Sequence, residues 1–311
     1  MNSTYVKKLS DISNDNVLSI HKIIHPFSSF LFPSIMHLWY NKNNNSISYT
    51  TNTYNLALLY PTNDRPFWSL STRAELNKSD LIEIKHIVDS VHPASELRFS
   101  TISEVADIED SSLFAIEPDD LSYYDYIYDV SDLEKCIGKK YEDTRRHIRK
   151  FYDVYGHAIT TKTITNWEDL QSYKQQAYEL FDDWTHSATE GSKDYQDEER
   201  AFKLFLDADK SELFGEIIVI LFFYHDKLIG YSINEIYDKK YALNHFHKSN
   251  LNLSSIGHYT FYAVAVELGR NGVSFLNFQE DCGIGGLRMF KHKMRPSQVF
   301  ETQKVTYLAQ S

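Results

Sequence analysis

The stretch "GEIIVILFFYHDKLIGYSINEIYDKKYALNHFHKSN", Gly215 to Asn250, holds three runs rich in β-branched and aromatic residues. The runs are separated by the short polar segments "HDK" and "YDKK". Connections this short join only antiparallel neighbours, so the stretch reads as a three-stranded meander. The next segment has a different period. "SSIGHYTFYAVAVELGRNG" (Ser254 to Gly272) offers Ser254 or Ser255 as a helix cap, an apolar face, and Gly269 or Gly272 as a stop. The run "VSFLNF" then reads as a strand, a helix starts near Gly285, and "QVFETQKVTYL" reads as a final strand. A meander, a crossover helix and further strands make an α/β unit around a mixed, mostly antiparallel sheet flanked by helices.

Upstream of the meander, helical patterns run from about Trp167 to Thr185 and from Tyr195 to Ala208. Before them, "SYYDYIYDVSDL" alternates tyrosines as a strand does, with Ser131 or Asp132 capping a helix. Those tyrosines are either packed in a strand or a platform for stacking bases. Towards the N-terminus, "YNLALLY" and "FWSL" read as strands. Around Asp80 to Val91, Leu81, Ile84, Ile87, Val88 and Val91 recur at helical spacing, with Asn77, Ser79 or Asp80 as cap. "NKNNNS" (Asn41 to Ser46) reads as a solvated turn. An acid-rich stretch from Glu104 to Asp120 separates the halves, so the junction falls near Leu121, with domains at 1–120 and 121–311.

A chain of 311 residues suffices for two cores. Its net charge of -11 repels phosphate backbones as a whole, so any nucleic-acid partner must meet local basic patches. Two cysteines without CxxC spacing indicate neither a disulfide framework nor a zinc site, and fit a reducing, cytoplasmic compartment. The apolar stretch Phe27 to Trp39 is too short to span a bilayer and contains Pro33. No signature of metal, flavin, nicotinamide or nucleoside triphosphate is visible, so no bound cofactor is expected.

Chemistry concentrates in "FLNFQEDCGIGGLRMFKHKMRP", Phe275 to Pro296. Glu280 and Asp281 fall where a strand ends and a loop begins, so either carboxylate suits proton transfer or the orientation of an amine. Alternatively, Asp281 caps the following helix or closes a turn. Gly283, Gly285 and Gly286 allow positive φ and close backbone approach to a ligand, and the helix start after them presents N–H groups to an anion. Arg288 and Lys291 share a helical face. Lys293 and Arg295 share one if the chain becomes extended before Pro296. These four cations are read either as contacts to a phosphate or carboxylate or as a solvated surface.

Lys139 to Lys150 carries six basic residues against two acidic, a local excess of +4. Arg145, Arg146, Arg149 and Lys150 line the exposed side of a helix whose buried stripe is Ile148, Phe151 and Tyr155. Such a face either docks an RNA stem or balances the preceding acids. His245 and His247 sit at i, i+2 on one strand and so share a face. With no third ligand at recognisable spacing, no metal is expected there, and His247 is either a base or a packed ring.

"DYIYDVSDLEKCIGKKYEDTRRHIRKFYDVYG" (Asp125 to Gly156), with Phe275 to Pro296, resembles the family of phosphatidylglycerol lysyltransferase C-terminal-like proteins. The resemblance implies two tandem GNAT-type (acetyltransferase-like) domains. It also implies a bacterial acyltransferase moving an aminoacyl group from aminoacyl-tRNA onto an acceptor amine or hydroxyl of a small molecule, peptide or lipid head group. Asp281, which matches the family position, is a catalytic candidate together with His247 and Lys291, read from their place in the pattern. Arg288, Lys293, Arg295, Lys248, the three glycines and Arg145, Arg146 and Arg149 become contacts for substrate or phosphate. Two departures stand out. His247 replaces a family glutamate before the retained Lys248, and "NFQED" lacks the family's arginine and first acid while keeping Asn277 and Asp281. The segment before the crossover helix, "NLNLSSIGHY", has only Gly257 in place of the usual pyrophosphate-binding glycines. An acyl-CoA-dependent N-acyltransferase and a non-catalytic binding member are the alternatives. Placement at the inner face of the membrane is the alternative to a purely cytoplasmic protein.

Overall fold

The computed structural model describes residues 7–8, 48–51, 55–60, 67–72, 78–91, 93, 95–101, 114–187, 195–207, 217–237 and 239–308. It divides into two compact units, residues 1–124 with 300–311, and residues 125–299. The expected helix cap Asn77, the turn at 41–46, the apolar stretch 27–39 and most of the acid-rich stretch lie outside the described residues.

In the first unit β1 (Lys7–Lys8), β2 (Ser48–Thr51), β3 (Asn55–Tyr60) and β4 (Phe67–Thr72) form consecutive antiparallel neighbours. Helix α1 (Lys78–Asp89) then crosses to β5 (Glu96–Thr101), which runs parallel to β4. Leu81, Ile84 and Val88 of α1 pack on Ala57, Leu59, Trp68 and Leu97, while Val91 lies beyond the helix and is exposed. The segment Phe114–Pro118 forms β6, although the acid-rich stretch that holds it showed no sign of a strand.

The second unit begins with β7 (Asp125–Asp129), where Tyr126 and Tyr128 are buried in a packed strand. Asp129 caps α2 (Val130–Lys135) by accepting from the Asp132 N–H, two positions before the earliest expected cap. Next come α3 (Glu142–Tyr155), β8 (Ile159–Ile164), α4 (Trp167–Gln171), α5 (Lys174–Ser187) and α6 (Gln196–Asp207). The meander is present as β9 (Ile217–Tyr224), β10 (Lys227–Tyr237) and β11 (Tyr241–Ser249), antiparallel throughout. Helix α7 (Ile256–Arg270) crosses to the three-residue β12 (Phe275–Asn277), which runs parallel to β11. Helix α8 (Gly285–Lys293) leads to β13 (Gln298–Phe300), and the sheet order is β13-β7-β12-β11-β10-β9-β8. Each sheet is thus mixed and mostly antiparallel, with helices packed on it, as the sequence led us to expect.

The expectation for the final strand fails. The last strand, β14 (Thr302–Tyr307), does not complete the second sheet but lies between β5 and β6 in the first. Its Val305 joins the first unit's core. Helical and meander neighbours are set by short connections, whereas a terminal strand is free to pair wherever an open edge matches its register. The unit boundary accordingly follows Tyr124 rather than Leu121, and residues 300–311 belong with the N-terminal portion.

Candidate active site at the parting of two parallel strands

β11 and β12 share three residue pairs, Tyr241 with Phe275, Ala242 with Leu276 and Leu243 with Asn277. β11 then continues to Ser249 while the other chain turns away at Phe278. Just past the last pair the β10–β11 register slips between Ile233 and Asn234, leaving His245 as an extra residue on β11. The slip separates the two histidines expected on one face. His245 Nε2 lies 2.7 Å from Glu235 Oε2, whereas His247 Nε2 is 3.0 Å from the Thr260 hydroxyl of α7. Burial, with the charges of Lys248 and Lys291, pushes His247 down to about 3. So weakly basic a ring is a poor proton acceptor near pH 7, which argues against it as a general base.

A buried polar seam lines the sheet at this point. Asn244 Nδ2 donates to Asn234 Oδ1 (2.9 Å) and to the Ser232 hydroxyl (2.8 Å). All three residues are buried. Across the parting the Gln279 amide donates to the Asn244 carbonyl.

The loop after β12 explains why both signs of charge gather there. Asp281 is fully buried, and its carboxylate accepts from Arg288 Nε (2.7 Å) and Nη2 (2.9 Å), from the Tyr126 hydroxyl (2.7 Å) and from the Gly283 N–H (2.8 Å). Burial pushes this carboxyl up, but the Arg288, Tyr126 and Gly283 hydrogen bonds outweigh it and hold the carboxyl below its usual value. Lys291 is also buried, and its ammonium donates to the carbonyls of Phe278 (2.7 Å), Gln279 (3.1 Å) and Glu280 (2.7 Å). An ammonium has three hydrogens, so this one is spent on the loop and does not reach an oxyanion. Arg288 gives Nε and Nη2 to Asp281, which ties its guanidinium to the loop. The expected site residues Asp281, Gly283, Arg288 and Lys291 are therefore brought together, but as the clamp of a loop. Within it Gln279, Cys282 and Gly283 take positive φ of 56, 52 and 73 degrees.

Glu280 is the acid this clamp presents. It is half-buried, its carbonyl is held by Lys291, and its carboxylate has the Cys282 thiol 3.8 Å away. Beneath it Asp125 is buried and accepts from Asn277 Nδ2 at 2.7 Å. Burial and the Glu280 charge raise its carboxyl to about 7, against the opposing pull of Asn277 and Lys291. Burial lowers Lys291 to about 8, with Glu280 and Asp125 resisting. Asp125, Tyr126 and the seam of Ser232, Asn234 and Asn244 escaped the sequence reading. Among these only the Tyr126 alternation carried a signal, and that signal was for burial.

The remaining candidates lie apart from the clamp. Lys248 is buried 2.7 Å from Glu198 and 3.8 Å above the Trp184 ring, packed beneath α5 and α6. Lys293 is exposed at the end of α8, and Arg295, at φ 60 degrees, donates to the Lys140 carbonyl. These two do not share an extended face. Gly285 and Gly286 open α8. On α3, Arg145 donates to the carbonyls of Cys136 and Gly138, Arg146 pairs with Asp143, and the exposed Arg149 contacts the Arg145 carbonyl at 3.4 Å. The face is basic, but Arg145 is a strut for the preceding loop.

The family model for the phosphatidylglycerol lysyltransferase C-terminal region matches residues 19–303. The chain belongs to this family. Solved structures similar to it include a conserved protein of unknown function from Bacteroides thetaiotaomicron, 19% identical, with a TM-score of 0.78 and coverage of 96% of this chain and 98% of that one. L-PGS from Bacillus licheniformis is 11% identical over 96% and 93% of the two chains, with a TM-score of 0.67. FemX is 10% identical over 96% of each, with a TM-score of 0.63. No curated protein matches. Among the described residues no helix is long and apolar enough to cross a membrane.

Proposed function

We propose that this chain transfers an aminoacyl group from aminoacyl-tRNA to an amine or hydroxyl acceptor at the parting of β11 and β12. Family membership supports the reaction class, and the observation that carries the location is the three-pair ladder beside a buried polar seam and a clamped loop. An extended acyl end fits between strands that diverge, because β11 runs on to Ser249 beyond its last pair with β12. The acceptor nitrogen or oxygen adds to the ester carbonyl. The tetrahedral intermediate then expels the terminal ribose hydroxyl of the tRNA, which takes up the acceptor's proton. Glu280 holds the acceptor, and the exposed Arg149, Lys150 and Lys293 steer the RNA. Asp281, Arg288 and Lys291 act by positioning Glu280, and His247 packs as a neutral ring.

The test is incubation with total charged tRNA carrying labelled amino acids, a cell extract as acceptor source, and mass analysis of products. Label that appears in a new product, and does not appear when the charged tRNA is first digested with ribonuclease, is the expected result. Absence of RNA-dependent label together with micromolar CoA binding by titration calorimetry would replace this reading with the acyl-CoA one. Absence of both, with biological activity intact in a folded Glu280→Ala protein, would leave a binding protein without turnover.

A further inference from the structure

Away from that parting, α3 meets the first turn of α7, and three potential metal ligands converge there. They are Asp143 and His147, one turn apart on α3, and His258 on α7, with donor atoms all within 4.8 Å of one another. We propose that Asp143, His147 and His258 bind one divalent transition-metal ion of the zinc class.

His147 is already oriented for the task. Its Nδ1 is 3.0 Å from the Ser255 hydroxyl, the kind of outer contact that fixes a ligating imidazole's tautomer and leaves the other nitrogen to the ion. That other nitrogen, Nε2, is 3.8 Å from Asp143 Oδ2. Two donors about 2.0 to 2.1 Å from a tetrahedral ion stand roughly 3.3 Å apart, so a small closure seats the pair. Asp143 gives its other oxygen to Arg146 and keeps Oδ2 for the site.

His258 supplies the independent observation. Its Nε2 is buried and has no hydrogen-bond partner among the described residues. The ring lies between His147, stacked at 4.1 Å, and the edge of Phe290 at 5.2 Å. An orphaned buried nitrogen is destabilising, a cost that a ligand on it would offset. The two stacked rings cannot both aim lone pairs at one point, so binding must turn one ring and undo the stack. His147 already holds its contacts to Ser255 and Asp143, so His258 is the ring that turns.

Electrostatics narrows the metal. Arg146 and Lys293 lie close by and repel cations, so affinity comes from imidazole coordination rather than from negative charge. Zinc, cobalt or nickel fit this donor set, whereas magnesium and calcium, which prefer all-oxygen sites, do not. No spacing along the chain announces the site, because His147 and His258 lie on different helices.

The test is titration of the untagged, chelator-treated full-length protein with Zn2+ and with Co2+. Stoichiometry comes from calorimetry and coordination from the visible cobalt spectrum. One ion per chain, with a spectrum of tetrahedral or five-coordinate cobalt, is expected. Affinity should fall at least tenfold in Asp143→Asn and in His258→Gln and be unaffected by excess Mg2+. Asp143 is exposed, so its variant keeps the fold if His258→Gln does not. Equal affinity in Asp143→Asn and the parent, a d–d spectrum unchanged in both variants, or binding of inorganic phosphate in place of the metal would overturn the proposal.

Discussion

A buried lysine with three carbonyl acceptors is an anchor whose loss can be measured. Replacing Lys291 with methionine keeps much of its length but leaves the carbonyls of Phe278, Gln279 and Glu280 without their shared donor. At about 1 to 3 kcal/mol for each buried unsatisfied group, part of it recovered by water at the loop, Lys291→Met should lower stability by about 3 kcal/mol in urea denaturation. A change under about 1 kcal/mol would show that the clamp is dispensable. Asp125 gives a pH signature. Its carboxyl is raised to about 7, so between about pH 4 and 7 the unfolded chain has lost a proton that the folded protein retains. Stability therefore falls as pH rises through that window. Lys291, lowered to about 8, acts oppositely above that value, where its contribution rises with pH. Asp125→Asn should abolish the Asp125 component in Tm measured from pH 4 to 7, and an unaltered slope would refute the assignment. Sequence made the acids and cations of this segment visible but not their use. Asp281 and Arg288 are seven positions apart, whereas Tyr126 arrives from 155 positions away, and a carbonyl acceptor has no residue code at all.

At the scale of elements, the loop that replaces further β12 pairing is built from left-handed residues. Gly283 adopts φ 73 degrees at no steric cost, while Cys282 adopts φ 52 degrees with a side chain that disfavours it. Two substitutions at these positions should act with opposite signs. Gly283→Ala should destabilise by about 1 kcal/mol and weaken the N–H contact to Asp281, whereas Cys282→Gly, at an exposed position, should be neutral or stabilising by up to about 1 kcal/mol. Thermal melts of the pair decide it, and the same sign for both would remove the strain argument. The meander, the crossover helix and α8 were legible because their periods and short connections are local. The bulge at His245 was not, because an extra residue on β11 appears only when its partner strand is in register beside it. β6 was hidden for a related reason. It is the last strand of its sheet, and its exposed Glu117 and Pro118 suit an edge while reading as a loop.

At the scale of the molecule, the chain's end is an interior strand of the unit with which the chain begins. β14 pairs on one side with β5, from Thr302 with Thr101 to Val305 with Leu97, and on the other with β6 over five residue pairs. Val305 sits among Trp68, Leu97 and Phe114. Removing residues 302–311 therefore deletes two ladders and a core side chain from the first sheet, and no strand from the second. A strand lost from an edge costs one ladder, but one lost from the interior leaves two unpaired edges and parts the sheet. Hydrogen exchange should show amides of β3 to β6 losing protection in the truncated protein, while those of β9 to β11 exchange as slowly as before. Unchanged protection in β5 and β6 would mean that the first sheet closes without the terminal strand. Equal loss in both sheets would mean that the two units fold as one.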